Sequence, residues 1–117
     1  MWIIETTDRF DDWLCSLTDI DRASVLALLM VLRLEGPMLS RPYADTVKGS
    51  RYSNMKELRI QSRGEPLRAF FAFAPDRVGI VLCAGSKVGN EKRFYQQMIP
   101  LADSEFYQYL LKSDNKR

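Results

Sequence analysis

Apolar and polar residues alternate most regularly from Lys56 to Phe73, KELRIQSRGEPLRAFFAF, in two runs separated by Gly64-Glu65-Pro66. Successive side chains of a strand point to opposite faces, so Leu58 and Ile60 share one face of the first run and Glu57, Arg59 and Gln61 the other. The second run sets Leu67, Ala69, Phe71 and Phe73 against Arg68 and Phe70. A two-residue loop at Gly64-Glu65, with glycine first as a type II′ turn prefers, predicts a hairpin pairing Arg63 with Pro66, Gln61 with Arg68, and Leu58 with Phe71. One face of that hairpin is buried, and the open face carries Glu57, Arg59 and Arg68 together.

The remaining pattern supplies the other elements. Trp2 to Glu5 is β-prone and predicts a strand, with Thr6 or Thr7 free to cap a helix. Phe10, Trp13, Leu14 and Leu17 recur at helical spacing, and Asp8, Asp11 and Asp12 lie in or near a first turn, where the helix dipole favours acids. A second helix follows from Thr18, with Asp21 three residues on in the manner of a capping box, and runs through ASVLALLMVLRLE to Gly36-Pro37. These two helices form a hairpin whose apolar face covers a sheet.

Pro37 to Met55 has weak periodicity and many turn-formers, which predicts a long irregular connection. After the β-hairpin, Ala74-Pro75-Asp76-Arg77 makes a turn, and VGIVLCAG, apolar on both sides, belongs in the sheet interior. SKVGNEKRFYQQMIP reads as a loop, ADSEFYQYLLK as a short amphipathic helix starting near Asp103 or Ser104, and SDNKR as a frayed tail. The fold class is therefore α+β. It is a small antiparallel-rich sheet, an N-terminal strand plus a three-strand meander, packed against an N-terminal helical hairpin, with a short C-terminal helix. Residues 1–117 are expected to form a single domain.

Composition narrows the setting. MWIIETTDRF lacks a basic leader and a long apolar run, and Ala23 to Leu32 is shorter than the roughly 20 residues of a membrane span. A cytoplasmic protein is expected, and Cys15 and Cys83, without C-x-x-C spacing, suit two buried thiols in a reducing compartment. The chain has no histidine, which removes the commonest general base and the commonest transition-metal ligand; no cofactor and no metal are expected.

Charge changes the picture further. The net formal charge is +2, but residues 1–47 balance at −4, residues 48–93 at +6 and residues 94–117 at zero. A basic middle third suggests a polyanion-facing surface, with a solvated sheet face as the plain alternative. In the connection before the hairpin, Arg41, Tyr43, Lys48, Arg51 and Tyr52 interleave rings with cations, the composition of a single-strand nucleic-acid contact and also of many ordinary loops. RNA is cut without a metal when its own 2′-hydroxyl attacks the adjacent phosphorus. That needs a base, cations for the developing charge, and an acid for the leaving 5′-oxygen. Glu57, Tyr95 and a lysine crowded by arginines are the proton carriers this histidine-free chain has.

The blocks KELRI, PLRAFFAF and IVLCAGSKVGNEKRFYQQMIP, in that order, resemble the phage Gp49-like HigB branch of the RelE/ParE toxin superfamily. The resemblance implies a type II toxin that cleaves messenger RNA in the ribosomal A site and is held inactive by an antitoxin, in this branch a helix-turn-helix protein. It places Lys56, Glu57 and Arg59 on the strand-two block, Arg68 on the strand-three arginine, and Lys87, Lys92, Arg93 and Tyr95 on the segment after strand four. The expected catalytic set is therefore Glu57, Arg59, Arg68, Lys87, Lys92, Arg93 and Tyr95. Arg59 and Arg68 bind phosphates, a cation from Lys87, Lys92 or Arg93 neutralises charge, and Tyr95 stacks on a base or carries a proton. The expected RNA-binding set is Arg41, Lys48, Arg51, Tyr52 and Lys56. A gyrase inhibitor of the same fold, or a non-catalytic interaction module, would share these blocks.

Overall fold

Five strands, β1 (Ile4–Thr6), β2 (Ala44–Thr46), β3 (Lys56–Ser62), β4 (Glu65–Phe73) and β5 (Gly79–Ser86), form one sheet in the order β1-β5-β4-β3-β2. The structure, a computed structural model, describes residues 1–115. β1 runs parallel to β5, and the other three pairings are antiparallel. Helices α1 (Asp8–Cys15) and α2 (Asp19–Glu35) cover one face and α3 (Glu91–Asn115) the other. The α+β class, the N-terminal strand, the meander and the helical hairpin are as the pattern predicts.

Both helix starts follow local chemistry. Thr7 and Thr18 accept from the amides of Phe10 and Asp21, satisfying donors that a first turn leaves open. Phe10, Val25, Leu28 and Leu32 then meet Leu58, Ile60, Leu67 and Phe71 on the first face. On the second face Ala102 and Phe106 meet Phe70, Ala72, Ile80 and Leu82. β5 has apolar partners on both sides, as its sequence suggests. Opposite Phe70 it carries one extra residue, since Phe70 pairs with Cys83 and Phe71 with Val81.

Several expectations are corrected. The hairpin turn is Arg63-Gly64, both at positive φ (53° and 76°), the type I′ geometry that matches strand twist. Leu58 therefore pairs with Ala69, Arg59 with Arg68 and Gln61 with Pro66, in place of the pairs built on Gly64-Glu65. The connection from Pro37 to Met55 contains a 3-10 turn, Gly36–Met38, and the edge strand β2. The C-terminal helix is long. It begins within the expected loop and takes in Ser113–Asn115 of the expected tail, of which Lys116 and Arg117 lie outside the described residues. Pro100 sits inside it, leaving the Gln96 carbonyl without its usual donor. Packing on both sides of Pro100, by Met98 and Ile99 and by Ala102 and Phe106, holds the helix through that gap. Cys15 is exposed at the end of α1, so only Cys83 is a buried thiol, and burial pushes its pKa up to about 12.

The hairpin tip is tied to α2 by a carboxylate. Asp21 accepts from Ser62 Oγ at 2.6 Å and from Arg63 Nε and Nη2 at 3.1 and 2.8 Å. The Arg63 hydrogen bonds, then Ser62, hold its pKa at about 2 against an ordinary 3.8. A depressed carboxyl pKa stabilises the fold above the unfolded value and loses that contribution as pH falls through the folded one. Asp21→Asn is thus expected to flatten the loss of stability between about pH 4 and pH 2, read as urea midpoints by circular dichroism. Parallel profiles for the two proteins would mean that the pair contributes nothing.

Candidate active site

Strand alternation brings Glu57, Arg59, Arg68 and Phe70 to the α3 side of the sheet, and the register sets Arg59 directly opposite Arg68. Like charges opposite one another on a sheet are unfavourable. Glu57 offsets this: its Oε2 lies 3.8 Å from Arg59 Nε and 4.0 Å from Arg68 Nε. Its Oε1 accepts from the Tyr95 hydroxyl of α3 at 2.6 Å. One carboxylate therefore gathers two guanidiniums and a phenol from three elements.

The face is covered, which the strand pattern had left open to solvent. Glu57 is 7% and Arg68 4% exposed, because the first turns of α3 lie across them. Phe70 supports that cover, meeting Phe94 and Tyr95 with ring centroids 6.1 Å away in each case. Gly85 opposite Arg68 permits the close approach: a Cβ there would stand 3.1 Å from Phe94. Arg68 Nη1 donates to the Leu67 carbonyl at 3.0 Å, whereas its buried Nε has no hydrogen-bond partner. A buried guanidinium with an unused donor is an uncommon arrangement, since such groups are costly to leave unpaired. Arg59, with a third of its side chain exposed, is the route from solvent to the cluster.

Tyr95 is held as a phenol. Burial first, then the hydrogen bond and charge of Glu57, push its pKa above the ordinary tyrosine value, and Arg68 only partly opposes them. The hydroxyl is therefore a proton donor in the resting cluster.

The other expected residues fall elsewhere. Lys87, mostly buried, follows β5 and pairs with Glu91 at 3.1 Å. Lys92 and Arg93 are exposed in the first turn of α3, which Asn90 caps by accepting from the Arg93 amide at 3.0 Å. Lys56 points to the opposite face of the sheet, where its Nζ donates to the Pro37 carbonyl at 3.1 Å. Arg41 is paired with Asp45 at 2.7 Å. Lys48, Arg51 and Tyr52 lie on the loop between β2 and β3. The sequence places Phe70 beside Arg68 and Asp103 at a helix start, but signals neither the support of α3 nor the loop contact. Phe70 is fully buried beneath α3, and Asp103, inside the helix, reaches its partners, Ser50 and the Arg51 amide, across about fifty residues of chain.

Among the described residues no group of three or more His, Cys, Asp or Glu could hold a metal ion, and no helix is long and apolar enough to cross a membrane. Fold and cluster together define a class: a small α+β protein whose sheet holds paired arginines, a carboxylate and a tyrosine beneath a helix. Residues 12–107 match the phage-derived Gp49-like family (DUF891), and the chain belongs to that family. Two Mycobacterium tuberculosis proteins, named as toxins HigB2 and HigB3, are 40% and 43% identical to it over 111 and 102 residues, covering 94% and 87% of this chain. The chain spans 55% of the length of HigB2 and 88% of HigB3. A double mutant of Escherichia coli RelE toxin in the free state aligns with a TM-score of 0.59 at 14% identity, covering 80% of this chain and 90% of that protein. RelE in the archaeal RelE-RelB complex of Pyrococcus horikoshii aligns at 0.56 and 14%, covering 76% and 98%. The chain is thus HigB-like in sequence and RelE-like in fold.

Proposed function

We propose that this chain is the toxin of a type II toxin-antitoxin pair, a metal-independent endoribonuclease that cuts messenger RNA on the ribosome and so inhibits translation in the cytoplasm, with residues 1–117 acting as one domain. The observation that carries this is the convergence of Glu57, Arg59, Arg68 and Tyr95, which together supply every role that 2′-hydroxyl attack requires. An incoming phosphate takes the unused Arg68 donor and the exposed Arg59 head, releasing Glu57 from both. Glu57 then accepts the 2′-hydroxyl proton as the oxygen attacks phosphorus. The bond from phosphorus to the 5′-oxygen breaks, leaving a 2′,3′-cyclic phosphate, and the 5′-oxygen takes a proton from Tyr95. The arginines neutralise the phosphorane charge within a largely buried site, where such donors are most effective. Lys92 and Arg93 on the rim, and Lys87 once freed from Glu91, add positive charge along the approach.

Closure of α3 over the cluster implies that the site opens to RNA and that substrate is presented by something else. A host surface such as the ribosome, holding RNA in an attack geometry, supplies part of the barrier. The toxin-antitoxin complexes among the structural relatives support an antitoxin partner; its helix-turn-helix type follows from the HigB resemblance alone. Exposed Leu26, Met30 and Leu34, one turn apart along α2, are the kind of apolar surface that a protein partner covers.

The test is induction without antitoxin, followed by mapping of RNA ends. New ends within coding regions, with growth arrest, are expected. Gyrase inhibition without RNA cuts would replace the nuclease with a gyrase poison. Tyr95→Phe, which keeps the ring on Phe70, is expected to slow cleavage about 10²-fold; unchanged cleavage would leave Tyr95 a packing group.

A further inference from the structure

The loop between β2 and β3 is not an idle connection. Asp103 of α3, 8% exposed, accepts from the Ser50 hydroxyl and, at 3.0 Å, from the Arg51 amide. Ser50 Oγ in turn accepts from the Tyr52 amide at 3.0 Å. Three successive residues are thereby clamped to one carboxylate, so the loop is rigid where a connection of its composition would ordinarily move. The clamp uses only main chain and the serine, leaving the Arg51 side chain free.

That side chain stands between two rings. Its guanidinium carbon lies 5.6 Å from the centroid of Tyr52 and 5.7 Å from that of Tyr107, one turn beyond Asp103 on α3. Among the described residues it forms no ion pair, and it is exposed, as is Tyr107 at 43%. Tyr52 is anchored from behind by Phe106 at 4.8 Å. Lys48 is exposed on the same loop. The result is an exposed cation flanked by one exposed ring and one half-buried ring, with a second exposed cation nearby. This is the composition that holds single-stranded nucleic acid through stacking and phosphate contact without reading sequence.

Its position relates it to the cluster. Tyr107 lies twelve residues from Tyr95, about 18 Å along α3. A stacked strand advances about 3.4 Å per base, so about five nucleotides separate the two places.

We propose that Arg51, Tyr52 and Tyr107, with Lys48, form a remote subsite that grips single-stranded RNA about five nucleotides from the scissile phosphate. It rests on the nuclease reading for the identity of the strand's other contact, but not for its own binding. The subsite contributes affinity for longer strands and makes no contact with the reacting atoms.

The test uses the full chain and fluorescein-labelled 2′-O-methyl RNA, which lacks the attacking hydroxyl and stays intact. A 12-mer and a 4-mer of mixed sequence are titrated by anisotropy. Arg51→Ala and Tyr107→Ala are each expected to weaken 12-mer binding about 5- to 100-fold, with little change for the 4-mer. Arg51→Ala lowers the slope of log affinity against log salt by about one, and Tyr107→Phe, keeping the ring, binds as wild type. Arg51→Gln, which leaves the backbone clamp intact, guards against a folding artefact. Wild-type 12-mer affinity in both Arg51 variants and in a folded Tyr107→Ala would overturn the proposal, as would loss of antitoxin binding in place of RNA binding. Should these variants lose RNA while wild type makes no RNA ends in cells, the subsite stands and the nuclease reading falls.

Discussion

Arg68→Ala is expected to abolish growth arrest and to lower messenger cleavage by about 10²- to 10³-fold, the usual loss when one preorganised charge-stabilising donor is removed. Arg68 is 4% exposed and carries the buried Nε without a partner, so its removal leaves Glu57 with one cation in place of two. That also costs stability, because a buried carboxylate loses compensation. The comparison must therefore be made at matched soluble protein, with thermal melts alongside. Arg68→Lys separates charge from shape: a compact ammonium cannot reproduce the planar fork. It should restore folding more fully than cleavage. Growth arrest by soluble Arg68→Ala would remove Arg68 from phosphate binding.

Phe70→Ala is expected to have the largest effect on stability, about 3–5 kcal/mol, as for other buried phenylalanines truncated to alanine. Against a total of about 5–15 kcal/mol for a domain, that approaches unfolding. Phe70 is fully buried between the sheet and α3, touching both Phe94 and Tyr95. Its loss therefore loosens the cover of the cluster and misplaces the Tyr95 hydroxyl. Phe70→Leu refills most of the space, and its cost should fall well below that of alanine while cleavage remains impaired. Chemical denaturation of both variants checks the order. A Phe70→Ala protein as stable as wild type would mean that α3 does not rest on this ring.

Part of this site was legible in the chain, and the hairpin shows why. The turn expected at Gly64-Glu65 is at Arg63-Gly64, so every cross-strand partner moves by two residues. A shift of two preserves the face, because strand side chains alternate with a period of two. Glu57, Arg59 and Arg68 therefore stayed together although their pairing was misassigned. The turn itself depends on a distant contact: Arg63 at positive φ is held by Asp21 of α2. The resemblance places Lys56 on the strand-two block with Glu57 and Arg59, yet alternation sends it to the other face.

The chain by itself determined the elements that rest on local chemistry. These are the capped helices at Thr7 and Thr18, the alternation of β3 and β4, and the doubly apolar β5. It also determined which residue types were at hand, since without histidine the proton carriers narrow to a carboxylate, a phenol and a lysine. Tertiary structure decided the burial. α3 crosses the face that alternation alone leaves open, because Gly85 admits Phe94 closely and Phe70 supports it, and no short window of sequence encodes that approach. It likewise decided that Asp103 clamps a loop some fifty residues away and that Tyr95 meets Glu57. Both contacts join residues whose separation along the chain is far larger than any local pattern, so only packing of the whole sheet and helix brings them together.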